Sequence, residues 1–398
     1  MGWDIVVGQE TAKGALKHAI ESDRVSHAYL FHGPDGSGKR ALALSFAQAL
    51  LCLRREDTAS DPCGACESCR KVERLVHPDV HFLMPFPDKD PPADLRKRQE
   101  MVAAEPYRIV DYSRRPSIDD LSKTSNKQTL YNIEWVHENL IRAMSFKPVE
   151  GEYKIAIIAD ADKLNSSSAN AFLKRLEEPY PDTIFILITV RPDHLPSTIV
   201  SRTQKVFLRR LDSEPIRLYL LDRGVGADDA MLISRMADGS LSRALDLADH
   251  IELRSGREVV VDFMRVAIVD DAQAVEEAIR LLVSSGREQL KSYLDLLLSW
   301  IRDLVVLDST GEAEMLVNLD QYDAIKKFVE NLPDADLERM VKLVEEAIHL
   351  VERNVNATSA MRCLSIGLRD AMKGRRGGNL YQPLSGVKVG SASKNALA

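Results

Sequence analysis

The chain has 398 residues, 45% hydrophobic and 28% charged, a soluble globular composition too long for one ordinary domain, so two or three are expected. No run approaches the ~18–20 apolar residues of a membrane span, and Met1-Gly2-Trp3-Asp4 opens no basic, then apolar, secretory leader. The expected compartment is the cytoplasm, and a net charge of −7 excludes the molecule as a whole as a polyanion binder, leaving any nucleic-acid contact local or shared with partners.

Residues 4–26 place Ala12, Ala15, Leu16, Ala19 and Ile20 at helical spacing. A short apolar run, Ala28 to Phe31, leads into Gly33-Pro34-Asp35-Gly36-Ser37-Gly38-Lys39-Arg40, and residues 41–50 read as a helix. Strand, glycine-rich turn and helix is the arrangement in which backbone N–H groups converge on a phosphate at a helix N-terminus. Gly33, Gly36 and Gly38 allow the turn and a close approach to the backbone, and Lys39 adds a point charge for outer phosphates. A complete P-loop ends in Gly-Lys-Ser or Gly-Lys-Thr, whose hydroxyl holds Mg²⁺. Here that position is Arg40, which cannot ligate a cation. The pattern predicts a P-loop fold with a degenerate site, compatible with ATP or ADP binding without hydrolysis.

Four of the five cysteines follow closely: Cys52, then after ten residues Cys63, Cys66 and Cys69 with two-residue gaps. Such gaps let thiolates converge on one tetrahedral Zn²⁺ at about 2.3 Å each. Four thiolates leave no open position, so a structural zinc is expected rather than a catalytic one. Free or redox thiols are the competing reading, and the number and spacing argue against it. Cys363, in an apolar helical stretch, reads as a small buried hydrophobe.

Val80 to Met84 reads as a second strand. Residues 85–127 are rich in proline and charge and read as a surface insertion, helical near 93–104 and mobile elsewhere, with Arg114-Arg115 a solvated pair. Ile133 to Met144 reads as an amphipathic helix. Tyr153 to Asp160 is an apolar run ending in an acid, as a buried parallel strand does beside a nucleotide crevice. In an active ATPase a Glu that activates water usually follows this Asp; the next residue here is Ala161, whose methyl group cannot take a proton, and Asp162 lies one place too far along. Residues 169–179 form a helix stopped by Pro179, and Thr183 to Val190 is a further buried strand. Thr189 at its end either bonds a phosphate or caps the strand. Lys205 to Leu208 is the last strand, so strands alternating with helices imply a parallel sheet covered on both faces.

Residues 211–250 read as a small helical domain, and 251–373 show only helical stripes, as in Leu290, Leu294 and Leu297 or Met340, Leu343 and Val344. Residues 374–398 lack periodicity and read as a disordered tail.

Ser26 to Phe31 before the P-loop, the four-cysteine module after it, Asn170 to Pro179, and Leu195-Pro196 through Ser201-Arg202-Thr203 together resemble the bacterial replicative clamp-loader subunits, over residues 4–210 apart from the insertion. The resemblance implies a AAA+ P-loop module over 1–210, a helical lid over 211–250 and a collar that joins a hetero-oligomeric ring with gamma/tau and delta subunits, acting with a sliding clamp on primed DNA. It implies that Arg202 reaches the ATP of a neighbouring subunit as an arginine finger, with Thr203 departing from the family's Ser-Arg-Cys pattern. Arg243 sits one place from the sensor arginine the family carries in its lid. With Arg40 and Ala161 in place, the departures resemble a member that has lost its own ATPase; a gamma/tau-like subunit with its own ATPase is the alternative. A zinc-dependent nucleic-acid module within 50–72 is a third reading, against which the mixed local charge argues.

Overall fold

The computed structural model describes residues 2–55, 60–87, 91–119, 128–249, 253–269, 271–353, 355–375 and 377–380. The tail expected to be disordered lies outside the described residues from 381 onward. The chain divides into two compact units, 1–251 and 252–398.

The first unit is built on five strands: β1 (Ala28–His32), β2 (Val80–Leu83), β3 (Lys154–Ile158), β4 (Thr183–Thr189) and β5 (Gln204–Phe207). They pair in the order β2-β3-β4-β1-β5, all parallel. The central strands are covered on both faces, so β1, β3 and β4 read as nearly continuous apolar runs, while the edge strand β5 exposes Gln204, Lys205 and Phe207. Tyr29, Phe31, Ile155, Ile157, Ile184 and Ile186 pack on one face. Ala28, Leu30, Ala156, Ile158, Phe185 and Leu187 pack on the other. The parallel α/β P-loop class expected from the sequence is the class observed.

Helices α1 (Glu10–Glu21), α2 (Lys39–Leu50), α3 (Glu67–Glu73), α4 (Leu95–Ala104) and α5 (Ser166–Glu177) accompany the sheet, followed by α6 (Ser213–Asp222), α7 (Ala227–Met236) and α8 (Leu241–Asp249). The N-terminal helix is shorter than residues 4–26: a 3-10 turn at Trp3–Ile5 precedes it, and Gln9 in the left-handed region starts α1. Residues 133–144 are not one α-helix. A turn at Ile133–Val136 widens into a π turn at His137–Arg142 and tightens to a 3-10 turn at Ala143–Ser145. Val136, Leu140, Ile141 and Met144 are all buried along this irregular helix.

The second unit is helical: α9 (Leu253–Val269), α10 (Ala272–Ser284), α11 (Arg287–Thr310), α12 (Tyr322–Asn331), α13 (Leu337–Glu352) and α14 (Ala357–Met372). The expected stripes are its core, with Leu290, Leu294, Leu297, Met340, Leu343 and Val344 buried. Cys363 corrects the reading made from sequence: it is exposed. On α14 the buried positions are Ala360, Met361, Leu364 and Leu368, and Cys363 falls beside exposed Arg362, off that stripe.

Among the described residues no helix is long and apolar enough to cross a membrane.

Candidate functional site: a closed phosphate cradle and a four-cysteine cluster

β1 delivers the chain into the glycine-rich turn, and α2 begins at Lys39. Gly36 and Gly38 have φ of 68° and 100°, which disfavour any side chain. Space excludes one as well. A Cβ on Gly36 would collide with Ser240 just before α8, and one on Gly38 would stand 2.8 Å from the Tyr107 hydroxyl. Gly33 lies directly against the Leu208 backbone. Gln9 braces the turn by donating to the carbonyls of Ser37 (3.0 Å) and Arg209 (2.7 Å). The Leu241 amide donates to the Gly36 carbonyl at 3.1 Å, tying α8 to the turn.

The side-chain cations at this cradle bond to the chain itself. Lys39 is buried, and its ammonium donates to the carbonyls of Gly33 (2.8 Å) and Pro34. Burial pulls its pKa down to about 8, with Asp35 and Asp160 opposing. Arg40 donates to the Arg108 carbonyl at 2.9 Å. Arg114 bonds Asp35 at 2.5 Å and Asp111 at 2.7 Å. Burial would raise the Asp111 carboxyl, but the Arg114 guanidinium outweighs it and holds the group well below the usual carboxylate range. Asp160, after β3, has φ of 46°. Burial, then the nearby Asp111 charge, raises its pKa to about 6. Between Lys39, Tyr107, Asp111, Arg114 and Asp160 a cavity of about 50 Å³ remains, against the ~300–1,000 Å³ of a ligand pocket.

The segment that fills the space is the one expected to be a solvated insertion, and that expectation is corrected. The helix near 93–104 is present as α4, but Val102, Tyr107, Val110 and Tyr112 join the core of the sheet face. Arg98 on α4 is fully buried. It donates to the carbonyls of Val110 (2.6 Å), Arg115 (2.7 Å) and Pro116 (3.2 Å) and pairs with Asp94 at 2.8 Å. Arg114 and Arg115 are not a solvated pair, since Arg115 bonds Asp246 on α8. Residues 88–90 and 120–127 of the insertion lie outside the described residues. The missed signal was apolar density: Tyr107, Ile109, Val110 and Tyr112 lie within six positions of a run otherwise dominated by charge.

Thr189 does not point into the cradle. Its hydroxyl donates to Asp162 at 2.7 Å and accepts from the Arg191 amide at 2.9 Å, and Arg191 closes on Asp162 at 2.6 Å. Asp162 is thereby engaged, and the Ala161 position beside it is buried. Arg202 stands apart from this cradle, between the short helix Ser197–Val200 and β5. It is part-exposed, pairs with Glu177 at 2.8 Å and donates to the Thr198 carbonyl at 3.1 Å.

The cysteines converge as their spacing requires. The four Sγ atoms of Cys52, Cys63, Cys66 and Cys69 all lie within 4.8 Å of one another, close to the ~3.8 Å edge of a tetrahedron with 2.3 Å metal–sulfur bonds. Amides of Cys63, Cys66 and Cys69 donate to the sulfurs of Cys52, Cys63 and Cys66 at 3.3, 3.3 and 3.4 Å. Such bonds favour thiolates. Burial alone would raise the Cys63 thiol, but the Ala65 and Cys66 amides bring it down to about 6. The module is seated on α2: Gln48 donates to the Cys69 carbonyl at 3.0 Å, and Ser68 to the Leu51 carbonyl at 2.6 Å. The donor set, its closeness and its amide bonds fit a closed structural metal site.

The family model described as DNA polymerase III, delta subunit, matches residues 8–212. The chain is 27% identical to DNA polymerase III subunit delta' of Bacillus subtilis over 89% of this chain and 94% of that protein. It is 30% identical to DNA polymerase III subunit tau of Salmonella typhimurium over 73% of this chain but only 39% of that longer protein. Among solved structures, a DNA polymerase III gamma subunit-related protein of Thermotoga maritima aligns over 91% of this chain and 99% of its own at 18% identity, with a TM-score of 0.39. With the family match spanning just over half its length, the chain belongs to the DNA polymerase III delta-subunit family.

Proposed function

We propose that this chain is a delta-prime-type subunit of a bacterial clamp loader, a non-hydrolysing member of a hetero-oligomer with gamma/tau and delta subunits that places a sliding clamp on primed DNA. The observation that carries the proposal is Arg40. It occupies the position of the Mg²⁺-binding hydroxyl, and its guanidinium is committed to the Arg108 carbonyl. A site without that hydroxyl, with Ala161 where an acid would activate water, lacks the parts of phosphoryl transfer. Similarity to a delta' protein over nearly the full length of both chains agrees with this reading. The gamma/tau-like reading, an ATPase in its own right, draws on the 30% identity to a tau protein. Arg40 and Ala161 both weigh against it.

In the proposed role Arg202 acts on a neighbour's nucleotide. A guanidinium at a transferring phosphoryl group stabilises the charge of the transition state. Its surface position and its ion pair to Glu177, a half-exposed partner, leave it exchangeable onto a phosphate. Cys52, Cys63, Cys66 and Cys69 would hold one Zn²⁺, which supplies folding energy and no chemistry.

The test is reconstitution with gamma/tau-like and delta-like partners, followed by clamp loading on primed DNA. Loading should fall by at least two orders of magnitude with Arg202→Ala. Undiminished loading would remove the finger role. Steady-state hydrolysis by the isolated chain that Lys39→Ala abolishes would restore the gamma/tau-like reading.

A further inference from the structure

We propose that residues 105–116 act as a built-in surrogate for a nucleotide, joining the glycine-rich turn to helices α6 and α8 and fixing their relative position without ATP. The proposal is independent of Arg202, and its test leaves that role untouched.

The segment bonds to both sides of the crevice at once. Toward the turn, Arg114 pairs with Asp35, the Arg108 carbonyl receives Arg40, and the Tyr107 ring covers Gly38 while its hydroxyl accepts from the Val7 amide at 2.9 Å. Toward the helices, Glu105 accepts from Tyr219 on α6 at 3.0 Å and pairs with Arg223 just beyond it. Arg115 pairs with Asp246 and Arg108 with Asp249, both on α8. The Tyr107 and Tyr219 rings meet edge to face at 5.9 Å.

One part of what a bound triphosphate would provide is a body that α6 and α8 close upon, and the segment supplies that body with its own charges paired, Asp111 against Arg114. Asp111 and Arg114, bonded to each other at 2.7 Å, both line the space beside Arg40 and Asp160, so the segment fills the crevice with a charge-balanced pair. The segment is not a loosely draped loop. Arg98 fixes it from behind through three carbonyls and stacks on Tyr112 with 3.7 Å between guanidinium carbon and ring centroid. A charged side chain wholly removed from water is tolerated only with such satisfaction. A ligand that is part of the chain competes at an effective concentration set by its tether, about millimolar for a short flexible one.

The test is amide hydrogen exchange on the full chain. In the wild-type protein, millimolar ATP with Mg²⁺ should leave exchange over 33–42 and 213–249 unchanged; protection appearing there would overturn the proposal. In the Arg114→Ala/Arg115→Ala variant, exchange over 213–249 should rise about tenfold while β3 and β4 keep their wild-type protection. Unchanged exchange over 213–249 would show that the segment does not hold the helices, and would equally overturn the proposal. Should the double variant lose protection throughout the sheet, the single Arg115→Ala variant decides by the same criterion.

Discussion

The four-cysteine cluster and the phosphate cradle lie at opposite ends of α2, and both have the shape of a ligand site, but they differ in where their polar groups point. At the cluster, four sulfurs converge on a common centre, and three backbone amides donate to sulfurs of the set. At the cradle, Lys39 donates to the carbonyls of Gly33 and Pro34, Arg40 to that of Arg108, and Arg114 to the carboxylate of Asp35. A motif therefore identifies a site only when its donors remain unspent. The first set of side chains could hold a metal ion; in the second the charged side chains are bonded to one another and to the backbone.

The largest effect expected from breaking this contrast is at the cluster. Wild-type protein should contain one zinc per chain by metal analysis. Cys63→Ala/Cys66→Ala should abolish it and lower the unfolding free energy by several kcal/mol, toward the ~10 kcal/mol scale of small zinc sites. Next comes Arg98, which anchors the cradle's inner ligand. Arg98→Met should cost about 3–5 kcal/mol in urea unfolding, because it strips one buried and two half-buried carbonyls of their donor and leaves Asp94 without its ion pair.

Asp160 sharpens the contrast through pH. Its pKa in the folded protein, about 6, is above the ordinary value of 3.8. Between those two values the folded chain binds more protons than the unfolded chain, so this group's contribution favours folding fully below about pH 4 and is lost as pH rises through 6. Asp160→Asn should consequently stabilise the protein at pH 7.5, by on the order of 1 kcal/mol, with the gain vanishing by pH 4 in parallel denaturation curves. The smallest effect expected is at the Arg202–Glu177 pair. Glu177→Ala should change thermal stability by less than ~0.5 kcal/mol, since both partners are partly in water.

The parallel sheet was legible because buried strands leave continuous apolar runs, and Ile155–Ile158 and Ile184–Ile188 could be nothing that faces water. The cysteine convergence was legible because two-residue gaps constrain geometry locally. The filled cradle was not, because besides local ion pairs it depends on bonds from Arg98 to Val110, Arg114 to Asp35 and Arg115 to Asp246, which span 12 to 131 positions. Sequence assigns such residues to the surface by default, and only tertiary pairing reverses that. The irregular helix at 133–145 escaped for a related reason: its apolar positions are compatible with an α period, and Val136, Leu140, Ile141 and Met144 join the sheet's core through a π turn instead. Cys363 shows the converse, an apolar neighbourhood in sequence whose one-position offset turns it outward.

The proposed loss of this chain's own nucleotide chemistry and the proposed role of Arg202 at a neighbour's site can be separated by comparing two substitutions in one assay, ATP turnover by the reconstituted multi-subunit complex. Lys39→Ala should leave turnover within about twofold of wild type, while Arg202→Ala should lower it by ~10³-fold. The reverse pattern, with turnover lost on replacing Lys39 and kept on replacing Arg202, would contradict both halves of the division.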